Sequence, residues 1–129
     1  MASEQRYFNR DWQRTVYCGD VAGRDGTEVP VVVNGWVRRR RDLGGLIFID
    51  LWDHTGIVQV VFNPELAGQV HERAKELRSE FVIAVRGRIR VRPEGTSNDS
   101  MRTGNWEIMA DDFIRLAPAA PLPFEVGDT

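Results

Sequence analysis

Ile57-Val58-Gln59-Val60-Val61-Phe62-Asn63-Pro64-Glu65-Leu66-Ala67-Gly68-Gln69-Val70-His71-Glu72-Arg73-Ala74-Lys75-Glu76-Leu77 changes its hydrophobic period at Asn63. Up to Phe62 the run is β-branched and aromatic, as in a strand. Beyond it Leu66, Val70, Ala74 and Leu77 fall on one stripe of a helical period, behind an Asn63 able to cap and a Pro64 suited to the first helical position. The stretch predicts a strand that hands over directly to one amphipathic helix.

Reading outward, Leu46–Asp53 is a second strand, joined to the first stretch by a turn at His54-Thr55-Gly56. Val31-Val32-Val33-Asn34-Gly35-Trp36-Val37 is another, continued by Arg38 to Asp42 and ended by the turn Asp42-Leu43-Gly44-Gly45. After the helix come a strand over Phe81–Arg92, a polar loop over Gly95–Gly104 and a last strand over Trp106–Leu116. Three strands, a helix and two strands are the layout of the oligonucleotide/oligosaccharide-binding (OB) barrel, in which the helix plugs one open end. The fold class expected is therefore all-β, a five-stranded Greek-key OB-fold barrel with one α-helix between strands three and four. Residues 1–28 read as a polar lead-in with little structure, 29–116 as the barrel, and the proline-rich 117–129 as a linker.

A length of 129 residues with 42% hydrophobic content suits one domain with its own core. Cys18 is the only cysteine, which excludes an intrachain disulfide and a thiolate zinc site and suits a reducing, cytoplasmic setting. Neither a signal peptide nor an apolar span of membrane length is present, so no membrane partner is expected. The formal net charge of -2 and pI near 5.7 lack the basic balance of many nucleic-acid binders, so any such function must rest on local clusters of charge.

Two such clusters exist. In Val85-Arg86-Gly87-Arg88-Ile89-Arg90-Val91-Arg92, side chains two apart share a face. Arg86, Arg88, Arg90 and Arg92 then line an outer surface, while Val85, Ile89 and Val91 fill the barrel. Arg38, Arg39, Arg40 and Arg41 end the first strand. Both runs suit phosphate neutralisation, and a solvated edge that discourages aggregation is the plainer reading. The same parity turns Ile47, Ile49 and Leu51 inward and leaves Phe48 outward. On the next strand Val58, Val60 and Phe62 go inward and Gln59 outward, near Phe48. An exposed aromatic platform beside an amide suits stacking and reading one unstacked base, unless a loop or Trp36 simply covers the ring. A metal-dependent hydrolytic site built from Asp50, Asp53 and Glu107 is disfavoured, because Asp50 and Asp53 lie on opposite faces of a regular strand. His54 and His71 are isolated and have neither ligand nor triad spacing, so no metal site is expected.

Gly35-Trp36-Val37-Arg38-Arg39-Arg40-Arg41-Asp42-Leu43-Gly44-Gly45-Leu46-Ile47-Phe48-Ile49-Asp50-Leu51, with Gly56–Phe62, resembles the N-terminal domain of bacterial aspartyl-tRNA synthetases. The similarity continues through Glu76–Phe81 and Val85-Arg86-Gly87 to Thr103-Gly104. The resemblance implies a class II ligase that activates aspartate with ATP and magnesium and charges tRNA-Asp, this part reading the anticodon loop. It implies that Phe48 stacks on the central anticodon base, that Gln59 hydrogen-bonds it, that Arg41 contacts the anticodon, and that Glu107 lies near the first anticodon base. Leu43 stands where aspartyl enzymes that also charge tRNA-Asn commonly carry histidine, which favours tRNA-Asp alone. The parent would be a homodimer with its catalytic domain after the linker, and this stretch would carry no catalytic residues and no cofactor. Trp52 departs from the arginine usual there, the lead-in through Gln13 is longer than usual, and Pro93–Met101 aligns loosely. Rival readings are the equivalent domain of a lysyl- or asparaginyl-tRNA synthetase and an independent single-strand binder.

Overall fold

A computed structural model describes residues 12–23, 28–93, 96, 98 and 103–116. Its strands are β1 (Val29–Leu43), β2 (Leu46–Asp53), β3 (Gly56–Phe62), β4 (Val82–Val91) and β5 (Trp106–Arg115), with the helix α1 (Gly68–Ala74) between β3 and β4. They close into a barrel in the order β1-β2-β3-β5-β4, β4 returning to β1. All pairings are antiparallel except β3 with β5. This is the five-stranded barrel with one inserted helix that the order of periods implies.

The alternation of β2 is realised in full: Ile47, Ile49 and Leu51 are buried, and Phe48, Asp50 and Trp52 face outward. Val58, Val60 and Phe62 of β3 meet them inside, with Ile83, Val85 and Ile89 of β4 and Ile108 of β5. Burying such a side chain contributes roughly 1.5–3 kcal/mol, so this cluster supplies most of the driving force for closure. The β1–β2 connection is two glycines, Gly44 at φ 58° and Gly45 at φ 82°, both left-handed, as the tightest hairpin turn demands. On β4, Val91 departs from its predicted core position and is 56% exposed, because the strand runs past the end of the packed interior to pair with Trp106 at the rim.

The helix is shorter than its stripe predicts. The side chain of Asn63 accepts from the N–H of Glu65 at 2.8 Å, and its carbonyl accepts from Leu66 and Ala67. Asn63 and Pro64 thus build a turn, α1 starts only at Gly68, and Leu66 points to solvent at 67% exposure. Ala74 and Leu77 are buried as expected, and Val70 packs on their cluster. Arg40 donates to the carbonyls of Lys75 and Leu77 just past the helix, satisfying groups that a helix end leaves open.

The lead-in carries more structure than its composition suggests. Trp12, Cys18 and Val21 are buried, and Thr15 exchanges hydrogen bonds with the backbone of Val32. This strap is fastened by side chain to backbone contacts that leave no periodic trace in sequence. Burial and the neighbouring Asp53 charge push the Cys18 thiol up, so the thiol is inert. Residues 117–129, read as a linker, lie outside the described residues, and no helix among the described residues is long and apolar enough to cross a membrane.

Asp53 ties the strap down, accepting from Cys18 N–H at 2.9 Å, Thr55 N–H at 2.8 Å and the Thr55 hydroxyl at 2.6 Å. Burial opposes its charge, but these hydrogen bonds outweigh it and hold the carboxyl below its ordinary 3.8. A depressed carboxyl adds stability above its unfolded pKa and loses it as pH falls through the folded value. Asp53→Ala should therefore cost about 2 kcal/mol near neutral pH. In urea unfolding the gap from the parent chain should narrow below about pH 4; a gap that widens there would contradict this role.

Candidate nucleic-acid interface

Cross-strand register assembles the outer face around Phe48. Arg41 of β1 lies opposite Phe48, Gln59 of β3 opposite Asp50, Glu107 of β5 opposite Gln59, and Arg90 of β4 opposite Glu107. Residues from all five strands, scattered through the sequence, thus share one surface. Arg41, Phe48, Gln59, Glu107 and Arg90, with Leu43, Arg92, Pro93 and Thr96, line a cleft of about 270 Å³.

Arg41 reaches this face only because β1 is irregular. Val37 pairs with Leu51 and Arg39 with Asp50, so Arg38 is an extra residue, a β-bulge. Val37 is inward and wholly buried. A regular count of two would turn Arg39 and Arg41 inward as well, and the bulge moves them outward. It also carries Arg40 to the opposite side, onto the end of α1.

The polar side chains interlock. Arg41 Nη2 donates to Gln59 Oε1 at 2.9 Å, and Arg92 Nη2 donates to the same oxygen. Gln59 Nε2 donates to Glu107 Oε1 at 2.9 Å, and Arg90 Nε to Glu107 Oε2 at 2.8 Å. Arg41 also stands 3.7 Å from Asp50 and 5.4 Å from the centre of the Phe48 ring. Gln59 and Glu107 are only 4% and 1% exposed, so they belong to the outer face by parity but lie beneath their arginines. Phe48 stays half-buried, its ring part of the cleft wall.

Of the predicted phosphate contacts, Arg90 and Arg92 line the cleft, and Arg39 is exposed on the same face of β1. The others are engaged elsewhere. Arg38 lies over the Trp52 ring, Arg40 serves the helix end, Arg86 lies over Trp12 and pairs with Asp112, and Arg88 pairs with Glu28. Leu46, Val61, Pro93 and Thr96 are cleft residues that the sequence reading did not single out. Strand parity places the first two on Phe48's face; the loop pair left no signal. His54 packs edge-on against Tyr17, His71 meets the Gly45 carbonyl, and no group among the described residues could hold a metal ion.

The model of a family of OB-fold nucleic acid binding domains, the tRNA anticodon type, matches residues 31–116. The chain is 49% identical over 116 residues to the aspartate–tRNA(Asp/Asn) ligase of Magnetococcus marinus, covering 90% of this chain and 19% of that protein. It is likewise 49% identical to the aspartate–tRNA ligase of Enterococcus faecalis, covering 90% of this chain and 20% of that one. It thus spans about a fifth of the length of these curated relatives. Among solved structures, asparaginyl-tRNA synthetase from Pyrococcus horikoshii superposes with a TM-score of 0.66 at 25% identity, covering 88% of this chain and 25% of that one.

The ion pair beneath the cleft is lopsided, the Arg90 side chain being 34% exposed and that of Glu107 2%. Arg90→Ala strands a buried carboxylate and should cost about 3 kcal/mol. Glu107→Gln leaves a guanidinium free to turn to water and should cost about 1 kcal/mol. Denaturant unfolding of the two variants checks the order; equal losses would mean that solvent reaches both partners alike.

Proposed function

Since the chain belongs to the tRNA anticodon family of OB-fold nucleic acid binding domains, we propose that it grips the anticodon loop of tRNA-Asp as the anticodon-binding domain of an aspartate–tRNA ligase. The observation that carries this reading is the meeting of Phe48, Gln59, Arg41 and Glu107 in one cleft. A base that leaves its stack offers a π-face and a polar edge. The Phe48 ring receives the face, the amide and guanidinium groups beside it receive the edge, and Arg39, Arg41 and Arg90 approach the phosphates.

The roughly fivefold greater length of the relatives supports a parent chain with its catalytic part elsewhere. Ligation of aspartate to tRNA with ATP and magnesium, and homodimer formation, are assigned to that larger protein. Identity near one half to aspartate ligases favours this reading over a lysyl or asparaginyl one, the solved asparaginyl enzyme being at 25%. Leu43 lines the cleft, 55% exposed and without a polar side-chain group, and supports preference for tRNA-Asp over tRNA-Asn. Relatives bearing both kinds of name are similar to the chain, so Leu43 is the feature on which that preference rests.

Phe48→Ala removes a surface that any base can use and should weaken cognate and altered anticodon stem-loops alike, by about 1–3 kcal/mol. Gln59→Ala should weaken the cognate loop and narrow its advantage over one with the middle uridine replaced. Phe48→Ala should stay folded. Gln59→Ala should be measurably less stable, because it unmakes the contacts of Arg41, Arg92 and Glu107. Titrations with both stem-loops, with circular dichroism as the folding control, decide the matter: unchanged affinity in Phe48→Ala makes the ring a structural residue. Binding should also fall steeply from low to moderate salt as phosphate-bound counterions compete, and a flat salt profile would remove the arginines from the interface.

A further inference from the structure

A carboxamide is chemically two-faced, its oxygen accepting and its nitrogen donating, and which way it points is ordinarily open. At Gln59 the neighbours leave one answer. Arg41 and Arg92 are donors only, and both meet one end of the amide; Glu107 accepts at the other end. Turning the amide over would set its N–H groups against two guanidiniums and its oxygen against a carboxylate. Glu107 is itself held by Arg90 at 2.8 Å and is 1% exposed, so it cannot swing away to relieve the clash.

With its oxygen occupied twice and one N–H given to Glu107, the amide has one position left, its second N–H. We propose that Glu107, with Arg41 and Arg92, acts as a positioning residue that locks Gln59 as a hydrogen-bond donor toward the base stacked on Phe48. A locked donor selects a keto oxygen and rejects an amino group at the same place, and hence selects uracil over cytosine at the middle anticodon position. This rests on the anticodon reading above and deepens it. Glu107 acts through Gln59, and Glu107→Gln, whose new amide can accept or donate, would weaken the lock to what Arg41 and Arg92 alone supply.

Two stem-loops that differ only by uridine or cytidine at the middle position test it in fluorescence titrations. The parent chain should prefer uridine, and Glu107→Gln should shrink that preference about tenfold, since a wrong orientation leaves a polar group unpaired. In a Gln59→Ala background, Glu107→Gln should leave the ratio unchanged. The unmodified chain without RNA gives a readout that needs no variant. The two Gln59 side-chain amide protons should be widely separated in the NMR spectrum, one held by the carboxylate and slow to exchange. A freely rotating amide would overturn the proposal. So would Glu107→Gln weakening both loops by one factor, or changing the ratio equally without Gln59. A parent chain that binds both loops equally sinks this inference alone; one that binds neither sinks the anticodon reading as well.

Discussion

Between Val37 and Arg39 the ladder from β1 to β2 holds one residue more on β1 than on β2. Everything beyond this bulge changes faces. Without it Arg41 would be driven toward a core filled by Ile47, Ile49 and Phe62, where a guanidinium without a partner is untenable. With it Arg41 stands beside Phe48 and Gln59, and Arg40 swings over the barrel end to the carbonyls past α1. One inserted residue thus joins the plug of the barrel to the surface of the cleft. Reshaping the Arg38 region is bound to affect both.

The second constraint is electrostatic. An acidic chain, of formal net charge -2, keeps a positive cleft by distributing its acids unevenly. Asp112 engages Arg73 and Arg86, and Glu28 engages Arg88, away from Phe48. Three guanidiniums, those of Arg41, Arg90 and Arg92, line the cleft with one carboxylate, that of Glu107, and Asp50 stands 3.7 Å from Arg41. Glu107 is buried and so cannot be lost to water, and its charge organises the arginines instead of cancelling their effect on a polyanion. The price of burying it is met by two hydrogen bonds of good length, from Gln59 and Arg90.

The barrel was legible in the sequence because its strands alternate cleanly: the periods of β2 and β3 by themselves assign Phe48 and Gln59 to the outer face. The helix was legible as an element but not in its start, since Asn63-Pro64 closes a turn as readily as it opens a helix. The strap over residues 12–23 was not legible, being anchored by Asp53 and Thr15 through contacts with no period. Arg41 reached its place in the sequence reading by family resemblance and not by counting, because a bulge carries no mark in a run of four arginines. The covering of Gln59 was equally hidden: parity assigns a face, not what lies on top of it. Arg86 and Arg88 share parity with Arg90 yet meet Asp112 and Glu28, partners that only the closed barrel brings near.

The central claim is that one face of the barrel, around Phe48, is the RNA surface. Backbone amide shifts, followed by NMR while an anticodon stem-loop is added to the chain, test it most directly. The largest changes should fall at Arg41, Leu43, Phe48, Gln59 and Glu107, with Arg86, Arg88 and Asp112 little affected. Changes concentrated at Arg86, Arg88 and Asp112, with those at Phe48 and Gln59 negligible, would contradict it.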